Sequence, residues 1–315
     1  MRTANYPTVD ISTTLCGLRL SNPTILASGI LGLSHEVMVR AARAGVGGIT
    51  TKSCSLKPRP GYHNPVVLDW GPGLINAVGL SNPGVEVMVE EIRAAKEKLA
   101  PLEVPIIASI FAETIYDFGT VARFISEAEP DLIEVNISCP NIDDRYRLMF
   151  AADPYVAAQV TRRVKRNTEI PILVKLSPNV TDVVKIAHAV TEAGADGITA
   201  INSLGPGIIL DVETRQAMLA HGTGGLSGPA IRPIAVRCVR DICQAVDVPV
   251  VAVGGVTTGR DVVEMILVGA TAVGIGSAVY YRGVEVFHQV CTELRDYMKR
   301  HGYRKLDEFR GQAMV

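Results

Sequence analysis

Two stretches decide the fold: Pro249-Val250-Val251-Ala252-Val253-Gly254-Gly255-Val256 and Ala272-Val273-Gly274-Ile275-Gly276-Ser277-Ala278. Each is a short apolar run rich in β-branched residues that ends on glycine, which reads as a buried strand. Between them Gly259–Val268 has helical periodicity. A strand, a helix and a strand at this spacing require parallel strands with a crossover helix. Outward from this unit the alternation repeats. Further strands are expected at Pro23–Ala27, Gly48–Lys52, Pro105–Ile110, Leu132–Ile137, Ile170–Leu176 and Gly197–Ile201. Further helices are expected at Glu36–Ala44, Val85–Leu99, Tyr116–Ala128, Pro154–Arg166, Asp182–Ala193, Pro229–Val246 and Val284–Arg300. Asp153-Pro154, Thr181-Asp182 and Thr258 carry the chemistry of helix starts.

Eight such units argue for an α/β fold of the closed (β/α)8 TIM-barrel kind, with a doubly wound open sheet as the alternative. Two segments fall outside the repeat. Thr8–Leu20 reads as a strand pair turning at Cys16-Gly17, placed to plug the bottom of a barrel. Leu204–Gly225 reads as a long irregular excursion at the mouth, where barrels put substrate and partner contacts. No linker divides residues 1–315, so a single domain is expected.

Composition excludes several classes of function. With 31 basic and 32 acidic residues and a net charge of −1, there is no basic footprint for nucleic acid. No apolar stretch is long enough for a membrane span, and Met1–Asn5 lacks the apolar core of a signal peptide, so a cytoplasmic protein is expected. The six cysteines, Cys16, Cys54, Cys139, Cys238, Cys243 and Cys291, include no C-x-x-C pair. Most of them read as small core residues, and no metal site is expected.

Barrel chemistry sits where strands end and helices begin. Gly254-Gly255 and Gly276-Ser277 lie after the last two strands, the usual phosphate position, where backbone N–H groups can approach an anion closely. Those glycines alone do not separate a flavin from a phosphorylated substrate. Lys52 and Lys175 close apolar strands and need anionic or electron-rich partners: a flavin N1–C2=O edge, a substrate carboxylate, or an acid of the chain itself in an internal salt bridge. Asn136, Asn141 and Asn202 at the same mouth, with Asn76 in a glycine-rich loop, suit the alternating donors and acceptors of an amide heterocycle.

Several ordered motifs make a resemblance specific. They are Asn136-Ile137-Ser138-Cys139-Pro140-Asn141, Lys175-Leu176-Ser177-Pro178-Asn179, Gly224-Gly225-Leu226-Ser227-Gly228-Pro229 and the two terminal glycine pairs. From about Val9 onward the chain resembles the soluble class 1 dihydroorotate dehydrogenases, and within them the 1B catalytic subunit. The resemblance implies the barrel, FMN as cofactor, and oxidation of (S)-dihydroorotate to orotate. It implies Cys139 as the base for the C5 proton, with Lys52 and Lys175 also in the catalytic set. FMN would be lined by Ala27, Ser28, Gly29, Lys52, Ser53, Ser109, Asn136, Lys175, Ile201, Ser227 and Gly228, with Gly254, Gly255, Gly276 and Ser277 on its phosphate. Substrate would be held by Lys52, Asn76, Val78, Gly79, Leu80, Asn136, Asn141, Asn202 and Ser203.

No G-x-G-x-x-G opens a helix after an early strand, so an NAD acceptor implies a separate FAD and iron–sulfur subunit. A homodimer core or a heterotetramer with that subunit is the expected assembly. A fumarate-using 1A enzyme is the alternative within the family. Two features depart from the pattern. The segment Ile142–Phe150 lacks paired glycines, and Ser109 stands where asparagine is common. Ser109 resembles the FMN half of dihydropyrimidine dehydrogenase, which makes a uracil or thymine reductase the competing activity. A phosphate-binding barrel without redox chemistry is the reading from another class.

Overall fold

The computed structural model describes residues 9–138 and 150–313. Its described chain opens with an antiparallel hairpin, β1 (Thr13–Leu15) and β2 (Leu18–Leu20), turning at Cys16-Gly17. Eight parallel strands then close into a barrel: β3 (Thr24–Leu26), β4 (Gly48–Thr50), β7 (Ile106–Ile110), β8 (Leu132–Asn136), β9 (Ile172–Leu176), β10 (Gly197–Ala200), β15 (Val250–Val253) and β16 (Ala272–Ile275), which pairs back with β3. Closure settles the choice between a barrel and an open sheet. Several strands stop one or two residues short of the expected ends. Ala27, Lys52, Ile137 and Ile201 therefore lie in the first turns of the mouth loops rather than in the ladder.

The helices follow the expected alternation: α1 (His35–Arg43), α2 (Val85–Leu99), α3 (Ile115–Ser126), α4 (Pro154–Lys165), α5 (Val183–Glu192), α6 (Arg232–Ala245), α7 (Gly259–Leu267) and α9 (Val286–His301). A short helix, α8 (Ala278–Arg282), was not expected. Asp153 caps α4 by accepting from the Tyr155 and Val156 amides, and Asp182 does the same for α5 from Val184 and Lys185. Thr258 and Asp261 form a reciprocal capping box at α7.

The apolar core has two compartments. The larger lies between strands and helices, with Met38, Met88, Phe118, Val160, Ile186, Ile242, Ile266 and Phe287 fully buried or nearly so. The smaller fills the bottom of the barrel. There Leu15 and Leu20 of the hairpin pack with Ile25, Ile107, Leu132, Leu173, Val251 and Ala272 from six of the barrel strands. The hairpin is a plug, as its position suggested; Thr8 lies outside the described residues.

The excursion over 204–225 needs correction. It is a built element with strands β11 (Leu204–Gly207), β12 (Leu210–Asp211), β13 (Gln216–Ala217) and β14 (Gly224–Ser227). The loop after the second barrel strand adds β5 (Val67–Asp69) and β6 (Leu74–Asn76). Strands β11, β14, β6 and β5 form one four-stranded antiparallel sheet, joined where Gly225 pairs with Asn76 and Ser227 with Leu74. Two loops far apart in sequence thus become a single wall, because each satisfies the other's backbone groups.

Candidate active site

Strand alternation grades the barrel interior from apolar to polar. On β8, Leu132 lies in the bottom cluster, Glu134 comes one step higher and Asn136 stands at the mouth. The register places Ser109 of β7 beside Glu134, Lys175 of β9 beside Asn136, and Thr199 of β10 beside Lys175. All of these side chains are buried.

These groups form a continuous polar network. Lys175 Nζ is 3.6 Å from Glu134 Oε1, with both side chains less than a tenth exposed. Ser109 Oγ donates to Glu134 Oε1 at 3.1 Å, and Ser53 Oγ lies 2.8 Å from Ser109 Oγ. Asn136 Nδ2 donates to Ser53 Oγ at 3.4 Å. Ser28 is 3.2 Å from Ser53 and donates to the Thr51 carbonyl at 2.8 Å. On its other side, Asn136 Oδ1 accepts from Ser138 Oγ at 2.7 Å, and Asn202 Nδ2 donates to Ser138 Oγ. Removing one member of a buried ion pair such as Lys175–Glu134 costs ~3–5 kcal/mol, so this network is an expensive feature for a fold to keep.

The glycine-rich residues converge beside it. A Cβ on Gly255 would meet the Gly228 carbonyl oxygen at 2.7 Å, one on Gly228 would sit 3.5 Å from Ser277 Oγ, and one on Gly276 would lie 3.6 Å from Ala27 Cβ. Ile201 donates its backbone N–H to the Val253 carbonyl at 2.8 Å and lines the approach to Gly254. A Cβ on Gly29 would lie 4.0 Å from Lys52 Nζ. Backbone donors without side chains, small hydroxyls and a buried ammonium are the donor set that a phosphate-bearing, electron-rich ring requires. The Thr199 hydroxyl, in register with Lys175, is buried without a hydrogen-bond partner among the described residues. These residues fit a flavin mononucleotide.

The expected substrate residues join the same mouth by another route. Asn76 Nδ2 donates to the Gly225 carbonyl at 3.2 Å, and a Cβ on Gly225 would overlap Ser203. The Ser203 amide donates to Asn202 Oδ1 at 2.8 Å, which closes the circuit to Asn136 through Ser138. Val78, Gly79 and Leu80 are held from outside. Tyr62 N–H donates to the Val78 carbonyl at 3.1 Å, the Tyr62 ring leaves no room for a Cβ on Gly79, and Asn82 Nδ2 donates to the Leu80 carbonyl at 2.9 Å. Among the described residues no hydrogen bond ties that turn to Asn136 or Asn202. Cys139 and Asn141 lie outside the described residues, as does 142–149 of the segment expected to cover the site.

A sequence profile described as dihydroorotate dehydrogenase matches residues 10–298. The chain belongs to the dihydroorotate dehydrogenase family. It is 44% identical over 303 residues, 96% of this chain and 98% of the relative, to a Methanothermobacter thermautotrophicus protein named dihydroorotate dehydrogenase B (NAD(+)), catalytic subunit. Proteins of the same name from Methanocaldococcus jannaschii and Pyrococcus abyssi are each 41% identical, over 96% and 95% of this chain and 98% of each relative.

Two groups in this dihydroorotate dehydrogenase family barrel escaped sequence reasoning. Glu134 is the first. Its signal was the spacing of two from Asn136, which puts both on the inner face of one strand. The second is Tyr62, stacked on His221 with ring centroids 4.0 Å apart, which clamps the two mouth excursions together. Neither has a local motif. One group of metal-ligand type, His35, Glu36 and Glu91, occurs among the described residues. Its carboxylates address opposite ring nitrogens of His35, Glu36 on Nε2 at 2.9 Å and Glu91 on Nδ1 at 2.8 Å.

Proposed function

We propose that this chain oxidises (S)-dihydroorotate to orotate on bound FMN, the oxidative step of de novo pyrimidine biosynthesis. The observation that carries this reading is the meeting, within one mouth, of the glycine and serine cradle with the Asn136–Asn202–Lys175 cluster, where Ser53 accepts from Asn136 and stands 3.2 Å from Ser28. FMN, when bound, supplies a hydride acceptor at N5 for the hydrogen leaving substrate C6.

The chain's own residues would do the rest. Gly254, Gly255, Gly276 and Ser277 hold the phosphate, with Ser227 and Gly228 beside it. Ala27, Ser28, Gly29, Ser53, Ser109 and Ile201 line the flavin, and Lys175 is assigned to its N1–C2=O edge. Asn76, Asn136, Asn141, Asn202 and Ser203, with the Val78–Leu80 backbone, hold the pyrimidine ring. Lys52 serves both flavin and substrate carboxylate. Cys139 takes the C5 proton, an assignment that rests on its motif. The described cysteines are poor competitors for that role: burial pushes the thiols of Cys16, Cys54 and Cys243 up to about 12 and that of Cys291 to about 11, and raises Cys238 as well.

The relatives' shared name and the missing dinucleotide fingerprint support a B-type assignment. Electrons would leave through a separate FAD and iron–sulfur subunit to NAD, from a homodimer core or a heterotetramer. Among the described residues no helix is long and apolar enough to cross a membrane. Ser109, which prompted the uracil-reductase alternative, has a role of its own here as the donor to Glu134.

The test is an anaerobic titration of the FMN-loaded protein. Bleaching of the flavin band by dihydroorotate within one turnover is expected. Bleaching by dihydrouracil but not dihydroorotate would move the assignment to a pyrimidine reductase, and failure to bind FMN would sink both.

A further inference from the structure

Glu134 has no place in the reaction as set out above, yet it is the only carboxylate the described residues put in the barrel's buried polar network. An ionised carboxylate only accepts hydrogen bonds, so the Ser109 proton points toward it at 3.1 Å. A hydroxyl has one proton to give. Across the 2.8 Å contact between Ser53 and Ser109, Ser53 must therefore be the donor. Ser53 is then left with lone pairs, which accept Asn136 Nδ2 at 3.4 Å, while the Ser28 proton goes to the Thr51 carbonyl at 2.8 Å.

The amide of Asn136 is thereby fixed with Nδ2 inward and Oδ1 toward Ser138 and Asn202, where it accepts at 2.7 and 3.5 Å. The negative charge at the base of the mouth thus sets the direction of the Ser109 and Ser53 donors, and the Ser138 amide, donating to Asn136 Oδ1 at 3.3 Å, holds Asn136 in the same sense from the other side. The same carboxylate is the counter-ion of Lys175.

We propose that Glu134 is a positioning residue for the flavin side of the active site, holding Lys175 as its counter-charge and orienting Asn136 through Ser109 and Ser53. This rests on the reading that FMN occupies the mouth. Burial disfavours an ammonium without a counter-ion, so Glu134→Gln removes the partner that holds the Lys175 side chain in place beside the flavin site. Glutamine also offers both a donor and an acceptor to Ser109, so the hydroxyl chain loses its fixed direction.

The test is a double-mutant cycle on FMN-loaded protein with Glu134→Gln, Lys175→Met and both together, measuring the reduction potential of bound FMN from pH 6 to 10. Glu134→Gln is expected to shift the potential by at least tenfold in the oxidised-to-reduced ratio, about 30 mV for a two-electron couple. In the Lys175→Met background the same change is expected to have less than a third of that effect. An unchanged potential, or an equal shift with and without Lys175, overturns the role of Glu134. Should Glu134→Gln not fold, Glu134→Asp retracts the carboxylate by one methylene, and a smaller shift in the same direction is expected; no shift overturns the proposal. Ser109→Ala cuts the hydroxyl chain and spares the ion pair. It is expected to raise the dihydroorotate KM at least threefold, and an unchanged KM overturns the orienting role. If the parent protein binds no FMN, the functional reading fails and this inference with it. If the parent binds FMN and the variants are silent, the inference alone fails.

Discussion

The side-chain amide of Asn76 donates to the backbone carbonyl of Gly225 at 3.2 Å, across a separation of 149 residues. The bond joins the excursion after the second barrel strand to the one after the sixth, and Ser203 stands directly beyond it. A Cβ added at Gly225 would come 2.4 Å from Ser203 Oγ and 2.8 Å from Ser203 Cβ. Gly225→Ala must therefore displace Ser203, or pull Gly225 away from Asn76. Both residues belong to the proposed substrate set and neither to the phosphate cradle. The dihydroorotate KM is expected to rise roughly tenfold or more, the scale of one lost positioning contact. FMN content, read from the visible spectrum, should stay within twofold of the parent. A variant that loses FMN while keeping its KM would reverse the assignment of the two residue sets.

Gly255 makes the complementary prediction for the cradle. Its φ is +73°, and an added Cβ would meet the Gly228 carbonyl oxygen and Arg232 Cβ, each at 2.7 Å. Gly222 is a control: its φ is +87°, but a Cβ there has nothing within 4 Å among the described residues. Left-handed strain costs each variant on the order of 1–3 kcal/mol. Only Gly255→Ala adds a clash that moves the backbone amides proposed to hold phosphate. It is expected to weaken FMN binding at least tenfold, measured by recovery of free FMN fluorescence. Gly222→Ala is expected to lower the melting temperature slightly and leave the FMN Kd unchanged.

The cysteines separate by reactivity. At pH 8 a thiol with a pKa of about 12 is roughly one part in ten thousand thiolate, which makes Cys16, Cys54 and Cys243 inert toward alkylation in the folded protein. Iodoacetamide at that pH is expected to label Cys139 first, with orotate protecting it, and turnover should be lost with one equivalent incorporated. Peptide mapping checks the site. Inactivation accompanied by labelling of a different cysteine would remove Cys139 as the base.

The raised thiol pKa values also fix a pH dependence. Their ordinary value is 9.0, so above pH 9 the unfolded chain sheds protons that the folded chain keeps. Stability from these groups is complete below pH 9 and is lost as pH rises toward about 12. Cys54 is fully buried and burial is the main cause of its shift. Cys54→Ala is expected to lower the melting temperature at pH 7 while flattening its decline between pH 9 and 11. An equally steep decline in the variant would assign the alkaline loss to other groups.

Much of this was legible in the sequence, and the exceptions have physical reasons. The barrel strands were readable because both faces are buried, so Ile106–Ile110 and Ile172–Leu176 appear as near-continuous apolar runs. The mouth sheet was not, because Leu204-Gly205-Pro206-Gly207 and Gly224-Gly225-Leu226-Ser227 are poor strand formers that pair only across long separations. The glycine cradle was visible as doubled motifs at strand ends. Glu134 was hidden because a lone acid in a strand reads as a solvent-facing residue until closure of the barrel puts that face inside.

The opposite end of the barrel gives a prediction in which stability and chemistry separate. Leu15 is fully buried in the bottom cluster with Leu20, Ile107, Leu132 and Leu173. Cys16 beside it donates its thiol to the Asp196 carbonyl at 3.3 Å, and Gly197 has no room for a Cβ because that sulfur and Leu173 Cδ2 would lie 3.0 and 2.7 Å away. The hairpin is thus seated in a fitted socket, and Leu15→Ala leaves a void rather than a collapse. Such a truncation costs ~2–5 kcal/mol, which corresponds to a fall of about 5–15 °C in melting temperature for a domain of this order. Glu134 and Lys175 lie one layer above the plug and are held by their own partners, Ser109 and each other. FMN content and dihydroorotate turnover at 20 °C should therefore remain within twofold of the parent. If turnover falls in proportion to stability, the layers are coupled and the polar network depends on the plug beneath it.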